Sequence, residues 1–561
     1  MKFLSPFSPV LRGWGVGLLL WGWIGMVFPA AGQTVVDATS LSNKILTGYQ
    51  GWFTAPGTGY STRWIHWTRD HVTPTGASNN LIVEMYPDLR EFDPDELIAT
   101  GMTRGGATAH LYAARHPKTV RRHVRWMMEY GIDGAFLQRF VRTHYDGDTD
   151  YKAQMNAVLW NFRSSCADYG RVFAVMYDVS GMLETEGWDT LIQDDWKSLV
   201  DAGLTSGGRY LHHQGRPLVA IWGPGFTHCV PADPAKAQAL IDWFRSNAPV
   251  NYRAAVWGGV PGEWRTKTGD SRTQSGWDNV YRSYDVISPW TVGRFPDEAG
   301  ADSWKSNRLV PDLASAQTAG RIYAPVVWPG FSWKNLNNGP TNQIPRKGGK
   351  FFWRQIGNAK SAGAGLLYLA MFDEVDEATA IYKVAENRSQ VPDQGYWLTL
   401  DADGTNLPSD WYLRLSYEGG RMIRGEIPLT TNFPATPGSA GASGWQGWAG
   451  VLTGQTGDLL RKYAWCGAEN PRAAGTEPSV IAETNRLTLT TVVRTNDPRL
   501  VVRAEVATNL SDFSLSTNLP VASYSVVADP TNLPAGHEKR VFTLPRDSER
   551  KFLRLRATYS P

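Results

Sequence analysis

The chain has 561 residues, 42% hydrophobic and 19% charged, which makes it too long for one ordinary domain and apolar enough to fold. A formal net charge of +3 over that length is close to balance and excludes the electrostatic footprint of a nucleic-acid-binding protein. Cys166, Cys229 and Cys466 lie far apart, and no CxxC, HExxH or His-rich run occurs. No metal site or cofactor is therefore expected, and at most one disulfide.

Lys2 and Arg12 precede an uncharged apolar run from Gly13 to Phe28, followed by Ala30-Ala31-Gly32 and Gln33. Such an order of charge, apolar run and small residues predicts a secretory signal peptide over 1–32. The run is shorter than a typical membrane span and rich in Gly, and no later segment is long and apolar enough to cross a bilayer. The mature chain is expected to be an extracytoplasmic monomer with no stable membrane insertion.

The run Lys44 to Phe53, broken at Ala55-Pro56-Gly57, predicts a first strand. A helix is expected over about Pro117 to Tyr130, where Val120, Val124, Met127 and Met128 form an apolar stripe. Further strand-like runs are Gly131–Phe140, Val172–Asp178, Pro217–Trp222, Arg253–Gly258, Asp285–Trp290, Ile322–Trp328 and Leu366–Phe372, which with the first make eight. From Ile132 onward their onsets recur every 32 to 45 residues or so, the period of a strand-helix unit. The runs are nearly continuously apolar, as strands covered on both faces are. A (β/α)8 barrel over 33–428 is therefore expected, in preference to a doubly wound sheet, since no GxGxxG turn follows the first strand.

Between the first two strands lies a long insertion that includes Trp64-Ile65-His66-Trp67 and Leu81–Asp88, expected as a lid or wall over the barrel or as a rim hairpin. After the eighth strand, helices are expected over Ala378–Val384 and from Ser409 or Asp410 to Arg424. A linker follows over 429–444. Short strands at Leu487–Val493, Leu500–Ala507, Tyr524–Ala528, Arg540–Leu544 and Phe552–Ala557 then predict a small all-β sandwich over 445–561, with an accessory or binding role.

Barrel enzymes place their chemistry at the carboxyl ends of the strands. Those ends carry Tyr49 and Trp52, then Gln138 and Arg139, Tyr177 and Asp178. Further round they carry Trp222, Trp257, Trp290, Trp328 and Trp333. Broad aromatic faces suit the C–H faces of sugar rings, and carboxylates and amides suit their hydroxyls, so these residues are candidate contacts to a carbohydrate. The eighth run ends in Asp373-Glu374-Val375-Asp376-Glu377, four carboxylates in five residues. Glycoside cleavage needs two carboxyl groups, and crowding keeps one of them protonated near neutrality. Glu374 and Glu377 are the candidate catalytic pair, and Asp373 and Asp376 are expected to tune or orient them. A solvated acidic loop is the bland alternative.

Lys44–Phe53, Gly131–Phe140, the strand-end carboxylates and Trp411-Tyr412-Leu413 together resemble the glycoside hydrolase family 71/99-like domain, over about Val35 to Ile427. In family 99 endo-α-mannosidases the last strand runs into Asn-Glu-Trp-His-Glu-Gly, similar to Asp373-Glu374-Val375-Asp376-Glu377-Ala378 here: the two glutamates are kept and the other four positions differ. The resemblance implies a retaining glycosidase, with α-mannosides among its candidate substrates. In it Glu374 would deprotonate the sugar's own 2-hydroxyl and Glu377 would serve as general acid, then as base. Two other functions fit the same residues: a non-catalytic carbohydrate-binding barrel, and a hydrolase holding a metal on Asp178 and the 373–377 carboxylates.

Overall fold

The computed structural model describes residues 35–57, 63–76, 80–229 and 231–434, and beyond them 479–482, 486–495, 500–507, 521–527, 537–545 and 552–559. The expected signal peptide, most of the linker and Cys466 lie outside the described residues. No helix among the described residues is long and apolar enough to cross a membrane.

Eight parallel strands make the barrel: β1 (Ile45–Tyr49), β2 (Gly134–Phe140), β3 (Val172–Asp178), β4 (Arg216–Trp222), β5 (Ala255–Val260), β6 (Val286–Pro289), β7 and β8 (Leu367–Leu369). β7 comes in two pieces, Ile322–Tyr323 and Val326–Val327. Its first piece pairs with β6 and its second with β8, while β8 also pairs with β1, so the sheet closes into a ring. Pro325 sits at the break, where proline cannot donate to a ladder. Closure leaves no exposed edge on the barrel. Helices such as Pro117–Glu129, Thr149–Tyr169, Trp188–Asp201 and Lys350–Ser361 cover its outside.

The pleat sends successive side chains alternately into the barrel and out to the helices. Inside, Phe136 meets the Trp257 ring at 4.8 Å and the Tyr368 ring at 5.9 Å. Outside, Tyr49 bonds His123 of the Pro117–Glu129 helix at 2.8 Å and packs on Phe162. Gly48 admits this crowding, because a Cβ there would stand 2.1 Å from the Met371 side chain and 2.3 Å from the Tyr368 hydroxyl.

The insertion between β1 and β2 holds an antiparallel hairpin, Leu97–Arg104 with Ala107–Tyr112. The expected helix at Ala378–Val384 does not form. The chain turns back on itself at Ala378 (φ +55°), and Ile381 and Tyr382 donate backbone bonds to the Phe372 carbonyl at 3.2 and 3.0 Å. That return buries Ile381, Tyr382 and Val384 without a helix. The later helix does form, over Trp411–Arg424.

C-terminally, β9 (Ser479–Ala482), β10 (Arg486–Arg494), β12 (Tyr524–Val526) and β13 (His537–Pro545) form an antiparallel sheet in the order β9-β10-β13-β12. β11 (Leu500–Ala507) pairs with β14 (Phe552–Tyr559). Ala504 of β11 shares a buried cluster with Leu489, Phe542 and Leu544, so the two antiparallel layers pack on each other.

Candidate active site

β8 ends at Leu369, and the next residues descend into a tight acidic turn over 373–377. Asp373 faces the backbone of the segment after β1, accepting from the Gln50 and Gly51 amides at 2.8 and 2.9 Å. Burial raises its carboxyl to about 7. Glu374 is 5% exposed, and both its oxygens are held by neutral donors: Oε1 by the Gln50 amide and Oε2 by the Thr379 hydroxyl, each at 2.7 Å. Burial, and then the charges of Glu377 and Asp376, push its proton affinity well above the usual carboxylate range.

Asp376 is buried, with Oδ2 3.4 Å from His66 Nδ1 and Oδ1 without a hydrogen-bond partner. Burial raises its carboxyl to about 8 and lowers the His66 imidazole to about 3. Glu377 is only partly buried, and the Trp333 side chain bonds it. Burial, with the Asp376 charge, raises it to about 7. A carboxyl poised there can both give and take a proton at neutral pH.

The aromatic candidates divide by face. Trp52 is half-buried and lies flat against His66, centroids 3.8 Å apart and planes within 5°, with Phe140 at 5.2 Å. Trp222 and Trp290, also half-buried, meet edge to face at 5.8 Å. Trp333 is 37% exposed. Asp178, at the inner end of β3, is partly buried and raised to about 6 by burial. These residues reach the barrel mouth with Glu377.

The other candidates do not. Tyr49, Arg139, Tyr177 and Trp328 point into the helix layer: Arg139 bonds Asp195 through Nε at 2.7 Å and Nη2 at 2.6 Å, and the Tyr177 hydroxyl donates to the same carboxylate at 2.9 Å. Trp328 packs on Phe351 and Phe295 and is fully buried. Trp257 faces inward but lies fully buried beneath the mouth. Gln138, nearly buried, points inward and donates to Met176 Sδ at 3.3 Å. For the four that point outward the cause is register: one step along a strand exchanges its two faces.

Two residues of the insertion join the acidic turn without having been singled out from sequence. One is His66. The other is Glu84, fully buried, which accepts from the Ser332 hydroxyl at 2.8 Å and is raised to about 7, chiefly by burial. Its backbone amide donates to the Val375 carbonyl at 2.8 Å, tying insertion to turn. The available signal was a lone carboxylate within the apolar run Leu81–Tyr86. Among the described residues no group of three or more His, Cys, Asp or Glu side chains is placed to hold a metal ion.

Fold and site together define a closed (β/α)8 barrel whose mouth carries buried and partly buried carboxyls of raised proton affinity beside aromatic faces. No protein-family model and no curated protein matches the chain. Among solved structures it is similar to the GH99 endo-α-mannosidase from Bacteroides thetaiotaomicron, at 16% identity over 69% of this chain and 99% of that one, with a TM-score of 0.49. It is also similar to a glycoside hydrolase-like protein, at 16% identity over 61% and 96% of the two chains, with a TM-score of 0.39. A third similar structure is the GH5_18 protein from Streptomyces cattleya in complex with GlcNAc, at 12% identity over 56% and 77%, with a TM-score of 0.34.

Proposed function

We propose that the chain is an exported glycoside hydrolase that cleaves a poly- or oligosaccharide with retention of configuration, α-mannosides being the first substrates to try. The observation that carries this reading is the unlike pair at the end of β8. Glu374 is deep and wholly hydrogen-bonded; Glu377 is nearer the surface, with its carboxyl near 7. In the reaction Glu374 accepts the proton of the sugar's 2-hydroxyl as that oxygen attacks the anomeric carbon. Glu377 protonates the departing oxygen. Water then attacks the anomeric carbon as Glu377 takes its proton, the bond from that carbon to the 2-oxygen breaks, and Glu374 returns the proton to the 2-oxygen. Trp52, Trp222, Trp290 and Trp333 offer faces to the flanking sugar rings.

Digestion of a glycan library with product analysis tests the proposal. Released saccharides that keep the anomeric configuration of the cleaved bond are expected; inverted products, or none from any glycan, would remove it. One observation favours a second reading, a carbohydrate-binding barrel without turnover: both oxygens of Glu374 are already occupied by Gln50 and Thr379. On that reading glycans bind the mouth and emerge uncut.

A further inference from the structure

We infer that Arg346 is a positioning residue for this site: its buried guanidinium fixes the turn after Glu377 and thereby sets Thr379 against the Glu374 carboxyl. The inference rests on the glycosidase reading for its significance, and on geometry for its substance.

Arg346 is almost fully buried, and no ion pair to a carboxylate is among its contacts in the described structure. Burying an arginine without a carboxylate is costly, and Nε and Nη1 have no hydrogen-bond partner among the described residues, so the bonding falls to Nη2. Its Nη2 donates to the carbonyls of Ala378 and Ala380, at 2.8 and 2.7 Å, and lies 3.1 Å from Met85 Sδ. The guanidinium carbon stands 4.5 Å from the Tyr412 ring centre, a cation-π position. Room for the stem comes from Gly330, where a Cβ would lie 2.6 Å from Arg346 Cγ and 2.9 Å from the Ile344 carbonyl oxygen.

The two carbonyls held by that nitrogen flank Thr379. Between them, Thr379 holds Glu374 by its hydroxyl, to Oε2 at 2.7 Å and to the backbone carbonyl at 3.4 Å, and by its amide to that carbonyl at 3.2 Å. On the other side of the turn, the Ser332 amide donates to the Glu377 carbonyl at 3.0 Å. The turn also contains Ala378 in the left-handed region, which a residue with a Cβ adopts at a cost. Arg346 offsets that cost, since its bonds require the Ala378 and Ala380 carbonyls to point the same way. A lysine ammonium has donors enough for both carbonyls but does not reproduce the planar group stacked on Tyr412.

The test reads Glu374 itself and needs no substrate. Its carboxyl is faced by the charges of Glu377 and Asp376, by the Gln50 amide and Thr379 hydroxyl, and by the Tyr368 phenol. The Thr379 hydroxyl bond favours its ionised form. Protein labelled at glutamate carboxyl carbons is titrated by NMR, with the Glu374 signal assigned by its loss in Glu374→Gln. In Arg346→Met protein the Glu374 midpoint is expected to move up, as in Thr379→Val protein, with no further movement in the double variant. Arg346→Lys is expected to move it in the same direction by less, and serves as the readout if Arg346→Met does not fold. An Arg346 variant that melts earlier but titrates at the wild-type Glu374 midpoint would overturn the inference. Absence of glycan cleavage by the wild-type protein would instead remove the glycosidase reading and leave this result standing.

Discussion

Arg139 and Glu374 both stand at the carboxyl end of a barrel strand, and both are buried, yet their surroundings are opposite in kind. Arg139 turns outward to Asp195, Tyr177 and Asn156, so its charge is met by an opposite charge and good hydrogen bonds. Glu374 turns into the acidic end of β8, where its partners are neutral and its nearest charged neighbours are carboxyls. The outward cluster is built to hold charge, whereas in the inward one burial raises the proton affinity of the carboxyls. A stable protein gains from the first arrangement; the second is a strain on folding that acid-base chemistry can use.

The largest break in that comparison comes from Arg139→Met, which leaves the Asp195 carboxylate buried and unpaired; a loss of about 3–5 kcal/mol is expected in denaturant unfolding. Next comes the opposite response of the two clusters to pH. Asp195 is held below its usual range, against burial, by the Arg139 charge and hydrogen bonds, so its contribution is present above about pH 4 and fades as pH falls through its folded value. Glu84, Asp373, Asp376 and Glu377 lie above theirs, at about 7 to 8, so the folded chain keeps protons that the unfolded chain has released. Their contribution is present below about pH 4 and is lost as pH rises through about 7 to 8. The unfolding midpoint is therefore expected to fall between about pH 5 and about pH 8, and to fall less in Glu84→Gln protein; an equal fall in both would separate Glu84 from the cluster.

A smaller effect isolates one neighbour. The Asp376 charge raises Glu377, so Asp376→Asn should lower the Glu377 value and move the alkaline limb of kcat/KM to lower pH. An unmoved limb would assign it to another group. The smallest expected effect is at the turn: Ala378→Gly removes the left-handed strain and should add up to about 1 kcal/mol, less the entropy a glycine returns to the unfolded chain.

Much of the barrel was legible because its strands are covered on both faces and so appear as unbroken apolar runs; Val172–Asp178 has the same limits in sequence and structure. The acidic turn was legible for the converse reason, since four carboxylates after an apolar run need an account. What sequence could not decide was the face of each strand-end residue. Tyr177 and Asp178 are neighbours in one apolar run, and only the ring's closure and register send Tyr177 to the helices and Asp178 to the mouth. The Ala378–Val384 segment was misread because its apolar spacing fits a helix as well as a chain doubling back along Met371 and Phe372. His66, Glu84 and Arg346 reach the turn through contacts distant in sequence, which local pattern does not record.

The central claim is that Glu377 gives its proton to the departing oxygen, and leaving-group dependence in Glu377→Gln protein tests it most directly. On a natural glycan with a poor leaving group, kcat is expected to fall about 10²–10⁴-fold. On an activated aryl glycoside of the same sugar, whose leaving group needs no protonation, bond cleavage is expected to stay close to the wild-type rate. Equal losses on both substrates, or no loss on either, would contradict the account.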